Sequence, residues 1–360
     1  MQPARLRLTP AIADVRRAVR NALGAAVPNE GDCEDSAART PVARDWSATS
    51  PSFGRGGLVL VALSGGPDSL ALAAAAAFEV PRAGLRAGAV IVDHGLQVGS
   101  VDAAARAAVQ ATALGLGPVI VRTVTVGSTG GPEAAARTAR YAALAAVAAE
   151  SGAAAVLLGH TLDDQAETVL LGLARGSGAT SLRGMDSRNG LYLRPLLGIR
   201  RSTTVQFCVD SGLEPWVDPQ NSDRAFTRVR VRQTVLPVLE SELGPGVAEA
   251  LARTAEQLRE DAEALDHFAV ELVEELAAHA EAGISLPVAA LAANPAALRQ
   301  RLIRLAVQSE FHLSLSRAHT LEVARLVTDW HGQGPLDLPG VRVERLRGLL
   351  IFSSHQSDNG

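Results

Sequence analysis

One junction limits what this chain can fold into more than any other stretch. Residues 58–63, Leu-Val-Leu-Val-Ala-Leu, are an unbroken apolar run of strand length that passes straight into Ser64-Gly65-Gly66-Pro67-Asp68-Ser69. A strand apolar at every position suits burial on both faces, the environment of a central strand in a parallel sheet. A helical pattern follows over residues 68–78, so the segment from Ser64 is a strand-to-helix turn. Its two glycines let the backbone turn tightly and aim N–H groups at phosphate oxygens, and the helix start adds its positive end. Ser64 and Ser69 add hydroxyl donors, whereas Asp68 belongs in an anion site mainly if a magnesium ion lies between it and the phosphates. The plainer alternative is a polar turn with an Asp cap. The turn lacks the Gly-Lys-Ser/Thr ending of a Walker loop. The chain contains no lysine at all, which excludes a Walker lysine and Schiff-base chemistry by an enzymic lysine.

Further apolar runs at residues 89–92, 119–126 and 154–158 alternate with helical patterns at 101–114, 133–150 and 163–173. This alternation predicts an α/β fold, a doubly wound parallel sheet with helices on both faces. Such sheets bind ligands beyond the carboxyl ends of their strands, where the strand order reverses. The polar clusters fall at those ends: Ser64 to Ser69 after the first strand, Asp93-His94-Gly95 after the second, Gly159-His160 after the fourth. Beyond about residue 235 long helical patterns take over at 246–280, 296–308 and 317–330, with apolar stretches near Val341 and Leu349 that read as short strands. Leu251, Leu258, Leu265 and Leu272 recur every seven residues, a packing pattern. The expected organisation is an N-terminal extension over 1–57, an ATP-binding catalytic domain over 58–240, and a linker helix with a mostly helical C-terminal domain over 241–360. In the extension, residues 11–26 suit a short amphipathic helix and 28–57 a flexible connector.

The formal net charge of -4 argues against a surface coated in nucleic acid, yet residues 182–232 hold nine arginines against five acids and 240–281 twelve acids against two arginines. Cys33 and Cys208 are too few and too far apart for a disulfide framework or a four-cysteine metal site. No run approaches the ~20 apolar residues of a membrane helix, so a cytoplasmic protein is expected.

A second cluster, Gly159-His160-Thr161-Leu162-Asp163-Asp164-Gln165-Ala166-Glu167-Thr168, opens a helix on which Asp164 and Glu167 share a face. Like charges gathered at one place need a cation, and either magnesium or a substrate ammonium group would serve. Acids in a first helical turn also favour the helix dipole, which accounts for Asp163 but not for His160.

Taken together these segments resemble the tRNA(Ile)-lysidine synthase family, within the enzymes whose SGGxDS loop splits ATP into AMP and pyrophosphate. The matching residues are the SGGPDS loop, Val92 to Leu96, Glu133 with Arg137, Arg140 and Tyr141, His160 to Thr168, and Leu170 to Gly178. Arg194-Pro195-Leu196-Leu197 and Trp216-Val217-Asp218-Pro219 also match, as do Asn221, Asp223, Phe226 and Arg232. Many members carry Asn where this chain has Val229. The resemblance implies adenylation of the wobble cytidine of an isoleucine tRNA with a CAU anticodon, followed by attack of free lysine. It implies that Ser64, Gly65, Gly66, Pro67, Asp68, Ser69 and Gly159 bind ATP with magnesium on Asp68, and that Arg137 or Arg140 balances phosphate charge. Asp164 and Glu167 would receive and help deprotonate the lysine ammonium group, with His160 orienting them or relaying a proton. His94 either lines the nucleotide pocket or is a structural partner. Arg224, Arg228, Arg230 and Arg232, partly spaced at two, suit a strand edge or extended loop that contacts the tRNA backbone. A homodimer is compatible with this reading.

Two alternatives compete. A base-thiolating enzyme of the same loop class normally needs cysteines near the loop, and neither Cys33 nor Cys208 is near it in sequence. A nucleotide-sensing module without turnover has no need of the acids at Asp163, Asp164 and Glu167 beside the phosphates.

Overall fold

In the computed structural model, residues 8–25, 56–95, 99–127, 131–176, 178–216, 218, 223–280 and 283–354 are described. The chain separates into two compact units, divided between Glu256 and Gln257.

The first unit is built on strands β1 (Leu58–Ala62), β2 (Arg86–Asp93), β3 (Val119–Thr123) and β4 (Ala153–Leu157), followed by the short β5 (Arg188–Asn189) and β6 (Tyr192–Leu193). Their order is β3-β2-β1-β4-β6-β5, parallel throughout except for the antiparallel edge strand β5. The chain steps outward from β1 to β2 and β3, then crosses back to place β4 on the other side of β1. The strand order therefore reverses between β1 and β4, as the alternation of apolar runs predicts for a ligand site. Val59, Leu60, Val61, Val156 and Leu157 have no exposed surface, which is why these runs show no polar alternation.

Helices α2 (Pro67–Arg82), α3 (Ser100–Ala113), α4 (Pro132–Ser151) and α5 (Leu162–Ala174) follow β1 to β4 in turn. Ahead of them, α1 (Pro10–Gly24) is capped by Thr9 and buries Ala11, Ile12, Val15, Val19 and Leu23, a stripe at helical spacing. That stripe joins the same core as β1 and α2. Arg16 and Arg20 clasp the buried Glu79 of α2 at 2.8 and 2.9 Å. The expected flexible connector over 28–57 lies outside the described residues, apart from Gly56 and Gly57.

After the sheet come α6 (Ala179–Leu182), α7 (Arg201–Asp210) and α8 (Thr227–Arg230), then a π-helical turn, Val231–Val235, that leads into α9 (Leu236–Leu243). The sequence spacing suggests an extended segment around Arg228 to Arg232, and the structure corrects this to helix. The reason is apolar: Val229, Val231 and Leu236 are buried, and Val231 and Leu236 pack against Leu162 and Ala166 of α5. Helix α10 (Val247–Leu276) is the long helix expected over 246–280.

In the second unit, α11 (Val288–Ala293), α12 (Ala296–Phe311) and α13 (Arg317–Thr328) accompany β7 (Ala278–Ala280), β8 (Gly283–Pro287), β9 (Leu336–Leu338), β10 (Val341–Leu346) and β11 (Leu349–Ser354). These strands form a five-stranded antiparallel sheet, β7-β8-β11-β10-β9. The helices are where the pattern puts them, but the sheet is larger than two short strands. Leu286, Leu302, Ile303, Val323, Leu350 and Phe352 make its core.

Candidate active site

At the end of β1, Gly65 takes a φ of +84°, a left-handed conformation that a side chain resists. Gly66 caps α2 and Pro67 opens it. The Ser69 hydroxyl donates to the Gly66 carbonyl at 3.0 Å and accepts from the Ser64 N–H at 3.2 Å and from the Ser64 hydroxyl at 3.0 Å, so the loop is stitched from within. Trp216 adds a main-chain bond to Gly65 O at 2.8 Å. The end of β4 presses on the same loop: a Cβ at Gly159 would lie 3.1 Å from Ser69 N and Cα. The polar clusters after β1 and β4 thus form one site.

Four acids meet four arginines there. On α5, Thr161 and Asp164 form a reciprocal cap, with the Thr161 N–H donating to Asp164 Oδ2 at 2.9 Å. Arg201, the first residue of α7, reaches Asp164 Oδ1 at 2.8 Å, Asp68 Oδ2 at 3.2 Å and Glu167 Oε1 at 3.4 Å. Arg232 holds the fully buried Glu167 through Nε at 2.7 Å and Nη2 at 3.1 Å, and touches Asp164 at 3.3 Å. Arg228 approaches Glu167 at 3.6 Å and donates to Thr168 Oγ1 at 3.0 Å. Asp163 accepts the Arg201 main-chain N–H at 2.7 Å and pairs with Arg200 at 3.1 Å. These acids are expected to need magnesium or a substrate ammonium to offset their charge, and the protein's own arginines already do so. They do not lie in the neighbouring sequence, so only the fold brings them in. Arg200, Arg201 and Thr204 carry no local signal beyond standing shortly after Arg194-Pro195-Leu196-Leu197.

The ionisation states differ from residue to residue. Burial raises the Asp68 carboxyl above its ordinary range despite Arg201 and a hydrogen bond from Thr204. Burial also opposes charge on Asp164, but Arg201 and the Thr161 N–H outweigh it and hold its carboxyl low. Arg201 is half-buried, and the surrounding carboxylates Asp164, Asp68 and Glu167 keep it firmly protonated. Burial lowers His160 to about 4, with Arg194 and Arg137 adding to the effect against Asp164, so the imidazole is neutral at pH 7. Its Nδ1 is buried without a hydrogen-bond partner. His94, lowered by burial and by Arg140, accepts from Arg140 Nε at 3.3 Å. Arg137 stacks over Tyr141 with 5.0 Å from guanidinium carbon to ring centroid.

The remaining arginines divide. Arg224 and Arg230 are exposed, with Arg230 donating to the carbonyls of Arg224 and Ala225 at 2.8 Å, whereas Arg228 and Arg232 turn inward to Glu167. Of the matching segments, Leu96, Ser177, Val217, Pro219, Asn221 and the side chain of Glu133 lie outside the described residues. Cys208, distant in sequence, sits beneath the phosphate loop, with Sγ 3.5 Å from the Pro67 carbonyl. Its thiol is pushed up to about 12 by burial and by Asp68, which suits packing and not nucleophilic chemistry.

Open glycine backbone at a helix start suits a nucleotide's phosphates. Among the described residues no group of three or more His, Cys, Asp or Glu is placed to hold a metal. Magnesium commonly takes one or two carboxylates and completes its shell with phosphate oxygens and water, and Asp68 beside the phosphate loop would be such a carboxylate.

Fold and loop together define a PP-loop ATP-binding protein, and residues 47–239 match the family model described as a PP-loop domain. A solved structure with the same fold is the U34-tRNA thiolase NcsA from Methanococcus maripaludis with its [4Fe-4S] cluster, at a TM-score of 0.53 and 20% identity over 69% of this chain and 80% of that one. Residues 286–350 match the TilS substrate binding domain. The tRNA(Ile)-lysidine synthase of Leifsonia xyli is 67% identical over 83% of this chain and 91% of its own length. That of Streptomyces coelicolor is 50% identical over 94% and 97%. The chain belongs to the tRNA(Ile)-lysidine synthase family, whose members are tRNA-modifying ligases that form a carbon–nitrogen bond. No helix among the described residues is long and apolar enough to cross a membrane.

Proposed function

We propose that this chain converts the wobble cytidine of the CAU-anticodon isoleucine tRNA to lysidine in the cytoplasm, using ATP and free lysine. The observation that carries the reading is the contact of the Ser64 to Ser69 loop with the Gly159 to Glu167 segment across the β1–β4 reversal, which sets a phosphate cradle beside acids suited to an amine. In the first step the cytosine O2 attacks the α-phosphate, and the bond to the β-phosphate breaks. Ser64, Gly65, Gly66 and Ser69 bind the departing pyrophosphate. Magnesium on Asp68 would offset charge on those phosphates. Arg137 and Arg140, in the first half of α4, balance charge developing on the α-phosphate.

In the second step the ε-amine of lysine attacks the activated carbon and AMP departs with the bonding electrons. Only the neutral amine is nucleophilic, so the ammonium proton must leave first. Asp164 and Glu167 draw in the ammonium group and help deprotonate it, with the neutral imidazole of His160 beside Asp164 orienting them. Lysine must displace part of the arginine network to reach these acids. We assign catalysis to residues 58–240 and tRNA docking to 241–360, with the exposed Arg224 and Arg230 contacting phosphates near the anticodon.

The test is incubation with ATP, magnesium, radiolabelled lysine and isoleucine tRNA transcripts bearing CAU or GAU anticodons. Stable label in the CAU transcript alone, with AMP released, is the expected result. AMP release without label in either transcript would overturn it.

A further inference from the structure

Beside the main-chain contact of Gly159 with Ser69, one side chain ties the acid of the phosphate loop to the acids of α5: Arg201. Its three guanidinium nitrogens each face a different carboxylate: Nε to Asp68 at 3.2 Å, Nη2 to Asp164 at 2.8 Å and Nη1 to Glu167 at 3.4 Å. A planar fork can serve three acceptors in fixed directions, which a lysine ammonium on a flexible stem cannot. The base of the side chain is fixed too, because Asp163 holds the Arg201 main-chain N–H at 2.7 Å.

The rest of the network is divided. Asp68 has Thr204, which also comes from α7. Asp164 has Thr161 and Arg232, and Glu167 has Arg232 and Arg228. Among the described residues, Arg201 is the cation paired with both Asp68 and the α5 acids. Its removal leaves each acid a partner but takes away the cation that Asp68 shares with the α5 acids.

We infer that Arg201 is a positioning residue that couples the half-reactions, by fixing the nucleotide-side Asp68 against the lysine-side Asp164 and Glu167. The inference rests on the lysidine-forming reading above. When the coupling is lost, adenylation continues but lysine is poorly aligned with the activated base. Water then attacks the adenylated base, returning cytidine and AMP with no carbon–nitrogen bond formed.

The experiment compares the wild-type chain with Arg201→Lys and Arg201→Gln, measuring AMP and lysidine in the same reactions with the CAU transcript. The expected result is a fall in lysidine formed per AMP of about threefold or more, a rise of about tenfold in KM for lysine and less than about twofold in KM for ATP. Arg201→Lys should fall between Gln and wild type. Equal loss of both products at unchanged lysine KM would overturn the coupling role. So would loss of ATP binding and of the cooperative thermal transition in both variants, which marks a structural role. Wild-type protein that joins no lysine to the transcript defeats the lysidine reading itself, whatever the variants do.

Discussion

Asp164 serves three structural neighbours at once, the amide and hydroxyl of Thr161 through one oxygen and Arg201 and Arg232 through the other. Asp164→Asn keeps the shape and an oxygen for Thr161 while removing the charge. It should leave ATP affinity within about threefold and lower lysine incorporation on the order of 100-fold or more, read by equilibrium ATP binding and labelled lysine. A loss of ATP binding instead moves Asp164 to the metal side of the site. His160 gives a pH prediction. Its ordinary value is 6.5 and burial lowers it to about 4 in the folded chain. Between those values the unfolded chain binds the proton and the folded chain does not, so stability falls as pH drops through the window. In His160→Asn this contribution is gone, and its melting temperature should decline less than wild type from pH 6.5 to 4. Cys208 is expected to resist thiol reagents at pH 7.5 in a Cys33→Ser background, and Cys208→Ala to retain lysine incorporation. Failure of that variant would favour thiol chemistry. The Ser64 to Ser69 turn and the clustering of His160, Asp164 and Glu167 are legible in the sequence because each group is local in the chain. Arg201 and Thr204 are not, since they meet Asp68 from 133 and 136 residues away.

Among the elements, α1 owes its seat to its apolar stripe and to Glu79, whose carboxylate is buried beneath Arg16 and Arg20. Glu79→Gln should destabilise the first unit by on the order of 2 kcal/mol and speed amide exchange in α1, checked by denaturant melts and hydrogen exchange. Gly159→Ala brings a methyl group against the main chain of Ser69, which has no room to yield without shifting the loop. Weakened ATP binding, with the fold kept, is the expected outcome by calorimetry; unchanged affinity would show the loop to be more compliant than its hydrogen bonds suggest. The strand-to-helix turns were readable because glycine, proline and buried apolar runs mark them locally. The segment from Arg228 to Arg232 misleads because alternating arginine and valine is the signature of a strand, yet Val231 joins Leu236 in packing against α5 and the start of α10. Arg228 and Arg232, four apart, then project together toward Glu167.

At the scale of the whole chain, the parallel sheet was legible from its doubly buried strands, while much of the second sheet was not. Strands β7 and β9 are three residues each, too short for a period of two to emerge, and β8 buries Ser285 along with Ile284 and Leu286. Strand order also has a meaning in time. Strand β1 pairs with β2 and with β4, so Val59 has both Ala87 and Ala155 as neighbours, and the second neighbour is synthesised long after the first. While a chain is still emerging from the ribosome, the Ser64 to Ser69 loop already exists but the wall formed by Gly159 and the acids of α5 does not. The nucleotide site therefore comes into being at a definite chain length, and nascent chains arrested before β4 should retain no ATP.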